Sequence, residues 1–410
     1  MSALTEDEVR AQALSWFEQA WDPDLPLLAW REQLVESGWA VPSWSSAWYG
    51  RDLPAWADRV AHTAIRAAGG VAVPLGGGMG LAAPTMYDHA ADDVKAAFLR
   101  PTITGELTWC QLFSEPGAGS DLAGLRTTAI RDGDDWIVNG QKVWNTSAHH
   151  ADMAILVART DWEVPKHNGI TYFLLDMRQP GVEVRPIRQM NEHSSFNEVF
   201  LTDARVPNAN VVGTVGDGWR VARGTLAHER SFASQRRVHF APGASGRVVN
   251  EAKAEAEEYL KTYEWYPQRA GRVDLVRAQL GSLTDPLVRD EAAELVAFNR
   301  AAELTAERAR VARALGRPPG SEGSIGKLAL SEVARRCNHV HGRITGAQGM
   351  LRDGPDPDHA VVAEILTSTP AQSIAGGTDE IQHNILGENI LGLPKEPSVD
   401  RGVPFRDVGS

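Results

Sequence analysis

Glu229 is a carboxylate in the wrong place for an ordinary core helix. Trp219, Ala222, Leu226, Glu229 and Ala233 recur at helical spacing, so the charge occupies a position where the pattern calls for an apolar side chain. Such a group is paired with a neighbour such as Arg223 or Arg230, sits in water at the edge of the stripe, or serves as a base of raised pKa. The helix alone leaves all three open. A second candidate is the run Leu112-Phe113-Ser114-Glu115-Pro116-Gly117-Ala118-Gly119-Ser120-Asp121, whose proline and two glycines hold a tight loop. Its N–H groups and hydroxyls can meet an anionic or carbonyl-rich ligand, although plain turns share this composition. A third is Asn139-Gly140-Gln141-Lys142-Val143-Trp144-Asn145-Thr146-Ser147, where a tryptophan and a hydroxyl follow a hairpin turn. Trp144 is either a core residue or a flat ring placed to hold a planar cofactor.

Other groupings carry less. His149-His150 and His339-x-His341 bring imidazoles together, but no nearby Cys, Asp or His completes a metal set, so no metal site is expected. Gly76-Gly77-Gly78-Met79-Gly80-Leu81-Ala82-Ala83 contains a GxGxxA string. A nucleotide fingerprint needs a buried strand before it and an acid about twenty residues later. Pro74 interrupts the first and Pro101 to Thr104 occupy the place of the second, so a helix-breaking loop is expected. The run Asp353-Gly354-Pro355-Asp356-Pro357-Asp358 lacks calcium-ligand spacing and reads as a rigid acidic turn.

The elements that must position these residues follow from periodicity. Thr5 with Glu8 forms a capping box ahead of an apolar face traced by Val9, Ala13, Trp16, Phe17 and Ala20. Helical patterns continue at Ala55 to Ala68 and Ala91 to Leu99. From about Thr108 the period becomes two, with strands at Thr128 to Ile130, Trp136 to Val138, Ala154 to Ala158, Ile170 to Leu175 and Val182 to Ile187. Helices return from Trp219, with further segments at Glu251 to Leu260, around Leu295 to Ala302, at Ile325 to Val340 and after Thr378, and with a loop at Gly316 to Gly320.

The bulk numbers narrow the classes. The 410 residues predict two or three domains, and 43% hydrophobic with 23% charged residues is ordinary for a soluble globular enzyme. A net charge of -12 argues against nucleic-acid binding. Cys110 and Cys337 form no CxxC, and Cys337 shares a helical stripe with Ala329, Val333 and Val340, as a buried core thiol would. No apolar run reaches the roughly 18 residues of a membrane span, and Glu6-Asp7-Glu8 do not resemble a signal peptide. A cytoplasmic protein is expected.

Four strings give the chain a family resemblance: SEPGAGSDLAGL at Ser114 to Leu125, NGQKVW at Asn139 to Trp144, NEVFLTDARVP at Asn197 to Pro207 and GGTDEIQ at Gly376 to Gln382. Their order, and the helical, β, helical succession around them, closely resemble the flavin-dependent acyl-CoA dehydrogenases from about residue 5 to 394. The resemblance implies an α+β multidomain fold. A helical domain would span 1–106, a β-barrel-like domain 107–218, a four-helix bundle 219–394 and a tail 395–410. FAD would bind non-covalently between domains and subunits. Matching positions put Gln111, Phe113, Ser114, Gly119 and Ser120 along the flavin, Trp144 against its ring and Thr146 at its edge. Thr378 and Glu380 match further flavin contacts, Ser120 and Arg230 match contacts to the CoA part of the substrate, and Gly376 a backbone donor to the thioester.

Many members of the family take their base from a Glu-Gly-Thr where this chain has Gly376-Gly377-Thr378. One branch, which includes isovaleryl- and long-chain enzymes, supplies it from the bundle helix just before an arginine, and Glu229-Arg230 matches that pattern. The implied reaction is oxidation of an acyl-CoA to a trans-2-enoyl-CoA, as in β-oxidation. Glu229 would remove the α-proton, the β-hydride would pass to flavin N5, and an electron-transferring flavoprotein would reoxidise the flavin. A departure lies at Tyr266 to Leu275, which lacks the Arg-x-x-Phe-Gly string that in the family reaches a neighbouring subunit's flavin. A homo- or hetero-tetramer is expected, and this departure raises a hetero-oligomer in which another chain supplies the contact. A flavin oxidase or monooxygenase on the same fold, and a non-catalytic partner subunit, are the rival functions.

Overall fold

The computed structural model describes residues 4–233, 240–314, 320–351, 357–397, 400 and 402–408. The expected loop at 316–319 and the acidic residues 353–356 lie outside the described residues. The chain forms two compact units, both discontinuous in sequence. One comprises Met1–Ile187, Ser195–Thr262 and Asp400–Ser410, the other Arg188–Ser194 and Tyr263–Val399.

In the first unit, helix Glu6–Ala20 opens on the expected capping box: Glu8 N–H donates to Thr5 Oγ1 at 3.2 Å and Thr5 N–H to the Glu8 carboxylate at 2.8 Å. Val9, Ala13 and Phe17 face inward, toward a fully buried Trp30 that meets Trp16 at 5.5 Å and Trp21 edge-on at 4.7 Å. Helices Leu27–Glu36 and Trp56–Ala67 complete this aromatic core. The glycine-rich string is not the loop expected. Gly78–Ala82 form a π turn that runs directly into helix Ala83–His89. Its glycines permit close approach, since a Cβ on Gly77 would stand 2.7 Å from the Trp109 carbonyl oxygen. Helix Asp92–Thr104 also outruns its pattern, continuing through Pro101 until Gly105 ends it at φ +87°.

Eight strands follow: β1 Trp109–Leu112, β2 Thr128–Asp132, β3 Asp135–Thr146, β4 Met153–Arg159, β5 Ile170–Asp176, β6 Val182–Ile187, β7 Phe196–Pro207 and β8 Val211–Val212. Their order is β6-β7-β3-β2-β4-β5-β8, with β1 alongside β4 in parallel. Every residue of β4 is buried, so both faces are covered. Strand β7 escaped the periodicity reading because Asn197, a polar residue, takes an inward position in line with Val199 and Leu201. Helix Gly218–Ala233 then packs onto β5, and only glycine fits at its start: a Cβ on Gly218 would meet Thr171 Cα at 2.7 Å. Helix Arg247–Lys261 joins the same unit, tied to Leu27–Glu36 by Arg31 and Glu255 at 2.7 Å.

The second unit is helical. Pro286–Ala314 and Glu322–Thr345 are its long members, with Val276, Ala292, Leu295, Val333, Cys337 and Val340 at its centre. Burial pushes the Cys337 thiol up to about 12, so it behaves as a small apolar group. None of the described helices is long and apolar enough to cross a membrane.

Candidate functional site

The Ser114–Asp121 loop leaves β1 and is held from beneath by a buried ion pair. Lys142, on β3 and wholly enclosed, donates to the Glu115 carboxylate at 2.8 Å and to the Phe113 carbonyl at 3.0 Å. Glu115 also accepts the Arg126 and Thr127 N–H groups at 2.7 and 2.9 Å. Burial alone would raise this carboxyl; the Lys142 charge and the N–H donors outweigh it and hold its pKa below the usual range. Backbone bonds between Glu115 and Ala118 close the turn, and Val143 N–H donates to the Ser114 carbonyl at 2.9 Å. Gly119 and Ser120 are left exposed at the tip, where a Cβ on Gly117 or Gly119 would meet nothing within 4 Å.

Trp144 is set by a bulge. Lys142 pairs with Val199 and Asn145 with Asn197, so Val143 and Trp144 stand opposite Glu198 alone. The extra residue takes φ +63°, a left-handed conformation that a bulky side chain adopts only where its surroundings enforce it. Those surroundings are two amides: Asn145 Nδ2 donates to the Gln111 carbonyl at 2.7 Å and Asn197 Nδ2 to the Asn145 carbonyl at 2.9 Å. The indole is thrown outward, 58% exposed, with the Phe196 ring edge-on at 5.8 Å. Gln111, Ser114, Gly119, Ser120, Trp144 and Thr146 are thus brought onto one loop and hairpin. Phe113 differs, for its ring is in the core against Tyr172 at 5.8 Å. Glu115, Lys142, Asn145 and Asn197 were not among the expected site residues, although the inward register of Lys142 on β3 was a readable signal.

Glu229 lies on the half-buried side of helix Gly218–Ala233. Ala222 is fully buried, and Trp219 and Leu226 pack against the same core, as the stripe predicts. One turn before Glu229, Thr225 is enclosed and its hydroxyl meets Thr85 Oγ1 at 3.0 Å and Tyr172 Oη at 3.1 Å. The ring that carries this hydroxyl is the one Phe113 packs against, so the helix and the loop share a support. The backbone of Arg230 is helical, and its side chain lies outside the described residues.

In the second unit Gly376 and Gly377 have φ +70° and +84°, a turn that excludes most side chains, and Thr378 caps helix Asp379–Asn384, accepting from Ile381 N–H at 3.3 Å. Asp379 anchors the turn through Lys327 at 2.6 Å and Arg335 at 2.7 Å. Partial burial opposes ionisation, but the two cations and Ser331 hold this carboxyl far below its usual range. Glu380 is exposed beside the cap. Elsewhere in the unit, Arg272 is held by Asp274 at 2.7 Å and Arg269 by Gln372 at 3.0 Å and the Tyr266 ring at 5.2 Å. The described residues hold no group of three or more metal-ligating side chains.

Within the first unit, the exposed, strained indole offers a flat apolar face beside a turn of open glycines, an arrangement suited to a planar ligand. The acyl-CoA dehydrogenase middle domain matches residues 110–204 and the acyl-CoA dehydrogenase C-terminal domain residues 268–391. Acyl-CoA dehydrogenase FadE34 of Mycobacterium tuberculosis is 38% identical over 77% of this chain, which spans 39% of that protein's length. Acyl-CoA dehydrogenase IpdE1 of the same organism is 33% identical over 90% of this chain and 88% of its own. The crystal structure of the ChsE4–ChsE5 complex from M. tuberculosis superposes with a TM-score of 0.64 at 25% identity, covering 97% of this chain and 100% of the other. The chain belongs to the acyl-CoA dehydrogenase family.

Proposed function

We propose that the chain oxidises an acyl-CoA thioester to a trans-2-enoyl-CoA, with FAD as cofactor and Glu229 as general base. The observation that carries this reading is the half-buried carboxylate on the helix face of Ala222, Thr225 and Leu226, in a chain whose 376–378 turn has glycine where a carboxylate would otherwise serve. A bound flavin supplies the hydride acceptor. The residues of the chain do the rest. Trp144 lies against the ring, Thr146 at its edge, and Gln111, Ser114, Gly119 and Ser120 along it, with Phe113 supporting the loop from the core. Thr378 and Glu380 receive the cofactor at the helix start, and Ser120 and Arg230 meet the CoA portion. The Gly376 N–H donates to the thioester carbonyl, which acidifies the α-proton by stabilising developing enolate charge. Glu229 accepts that proton. An electron-transferring flavoprotein is the acceptor, and two buried free thiols suit a cytoplasmic setting. The three-part division at 106/107, 218/219 and 394/395 is part of the same proposal.

Anaerobic mixing with a panel of acyl-CoAs, followed by flavin bleaching, tests this. The wild-type protein bleaches with at least one of them, and Glu229→Gln slows the step by about 10²–10⁴-fold. Full reductive activity in that variant would remove Glu229 from the mechanism.

A further inference from the structure

The last described residues of the chain fold back beneath the cofactor loop. Arg159, at the end of β4 and fully buried, donates to three carbonyls: Ala123 at 2.7 Å, Leu125 at 3.1 Å and Lys166 at 3.1 Å. Its guanidinium carbon stands 3.5 Å from the centroid of Phe405, itself 3% exposed. Burial lowers the Arg159 pKa to about 10, still well above neutrality, so the group remains a cation and the aromatic face beneath it is an attractive partner. Phe405 is fixed in turn by backbone bonds, its N–H donating to Val164 at 2.9 Å and the Arg406 N–H to Trp162 at 3.0 Å. Lys166 makes the second attachment, bonding Asp121 at 2.8 Å and Asp400 at 2.6 Å. Both attachments end on the stretch that follows the site loop, at Asp121, Ala123 and Leu125, and the next two N–H groups, of Arg126 and Thr127, are those that Glu115 accepts.

We propose that residues 400 and 402–408 are a strap that holds the 121–127 stretch, and through Glu115 the Ser114–Ser120 loop, in the conformation that receives the cofactor. Arg159 and Phe405 are its positioning residues. Neither needs to touch the flavin. The inference rests on the FAD reading for its consequence but not for its geometry, and two measurements separate them.

The first is amide hydrogen exchange in the flavin-free full chain. Phe405→Ala and, independently, Asp400→Asn speed exchange at residues 124–127 by about tenfold or more while the amides of β4 and β5 keep wild-type protection. The exposed Arg406→Ala variant, which loses the ion pair to Glu163, leaves the stretch as it is. The second is FAD titration, in which Phe405→Ala and Asp400→Asn each weaken retention about tenfold or more and Arg406→Ala does not. Wild-type protection at 124–127 in both Phe405→Ala and Asp400→Asn overturns the strap. Accelerated exchange with unchanged FAD affinity overturns its link to the cofactor. A wild-type chain that takes up no FAD, alone or with a partner chain that completes the site, defeats the cofactor reading, and the exchange result still decides the strap.

Discussion

At the scale of single residues, the site depends on a pair that touches no proposed ligand. Lys142 and Glu115 are enclosed together, so removing one leaves the other's charge buried without compensation. Lys142→Met is therefore expected to cost about 3–5 kcal/mol, whereas the double variant Glu115→Leu/Lys142→Met recovers part of the loss. Urea denaturation of the four species checks both, and equal stability of single variant and wild type would contradict the assignment. The string NGQKVW was legible as a motif, and Trp144 as a flat ring near a polar loop. Its geometry was not. A left-handed φ at tryptophan is imposed by Asn145, Asn197 and a bulge against β7, none of which local propensity encodes. Phe113 shows the opposite limit: a residue inside the right motif whose ring turned to the core.

At the scale of elements, helices were read well where their faces were amphipathic and poorly where glycine or proline intervened. Gly78–Ala82 and Pro101 both lie in helical backbone against an intrinsic preference of about 1–3 kcal/mol, and at Gly77 and Gly78 the close approach to Trp109 and Thr102 is what glycine permits. The short helix Asp379–Asn384 is too brief to stand alone and depends on its anchor. With Lys327 and Arg335 beside it, Asp379 has a folded pKa below its unfolded value near 4, so the folded state binds its proton less readily. The stabilisation is complete above about pH 5 and declines as pH falls through the unfolded value toward the folded one. Glu115 acts in the same direction. Asp379→Asn is accordingly less stable than wild type at pH 7, and the gap narrows toward pH 3 in denaturant titrations. A pH-independent gap would mean that the ion pairs contribute nothing.

At the scale of the whole molecule, composition, order of motifs and the change of period from helix to strand and back were enough for the fold class and the family. They could not reveal that each compact unit is assembled from separated stretches of chain, because contacts such as Arg159 with Phe405 span too much sequence to leave a local pattern. They also left open the segment at 266–275, where the family's Phe-Gly is missing and both arginines are engaged within their own unit. On the proposed function, this departure predicts a hetero-oligomer in which another chain completes the flavin site. Gel filtration with flavin counting is expected to give less than one tightly held FAD per chain for the protein expressed alone. One FAD per chain in a pure homotetramer would reject the idea.

The interleaving has a consequence for the newborn protein. At a synthesis rate of about 5–20 residues per second, Phe405 is made roughly fifteen seconds to a minute after Arg126. During that interval the loop exists without its clamp. On the proposed reading, cofactor capture then waits for the synthesis of residues 400 to 405, and a chain interrupted before residue 400 would carry every motif by which the family is recognised and still lack the piece that readies the loop.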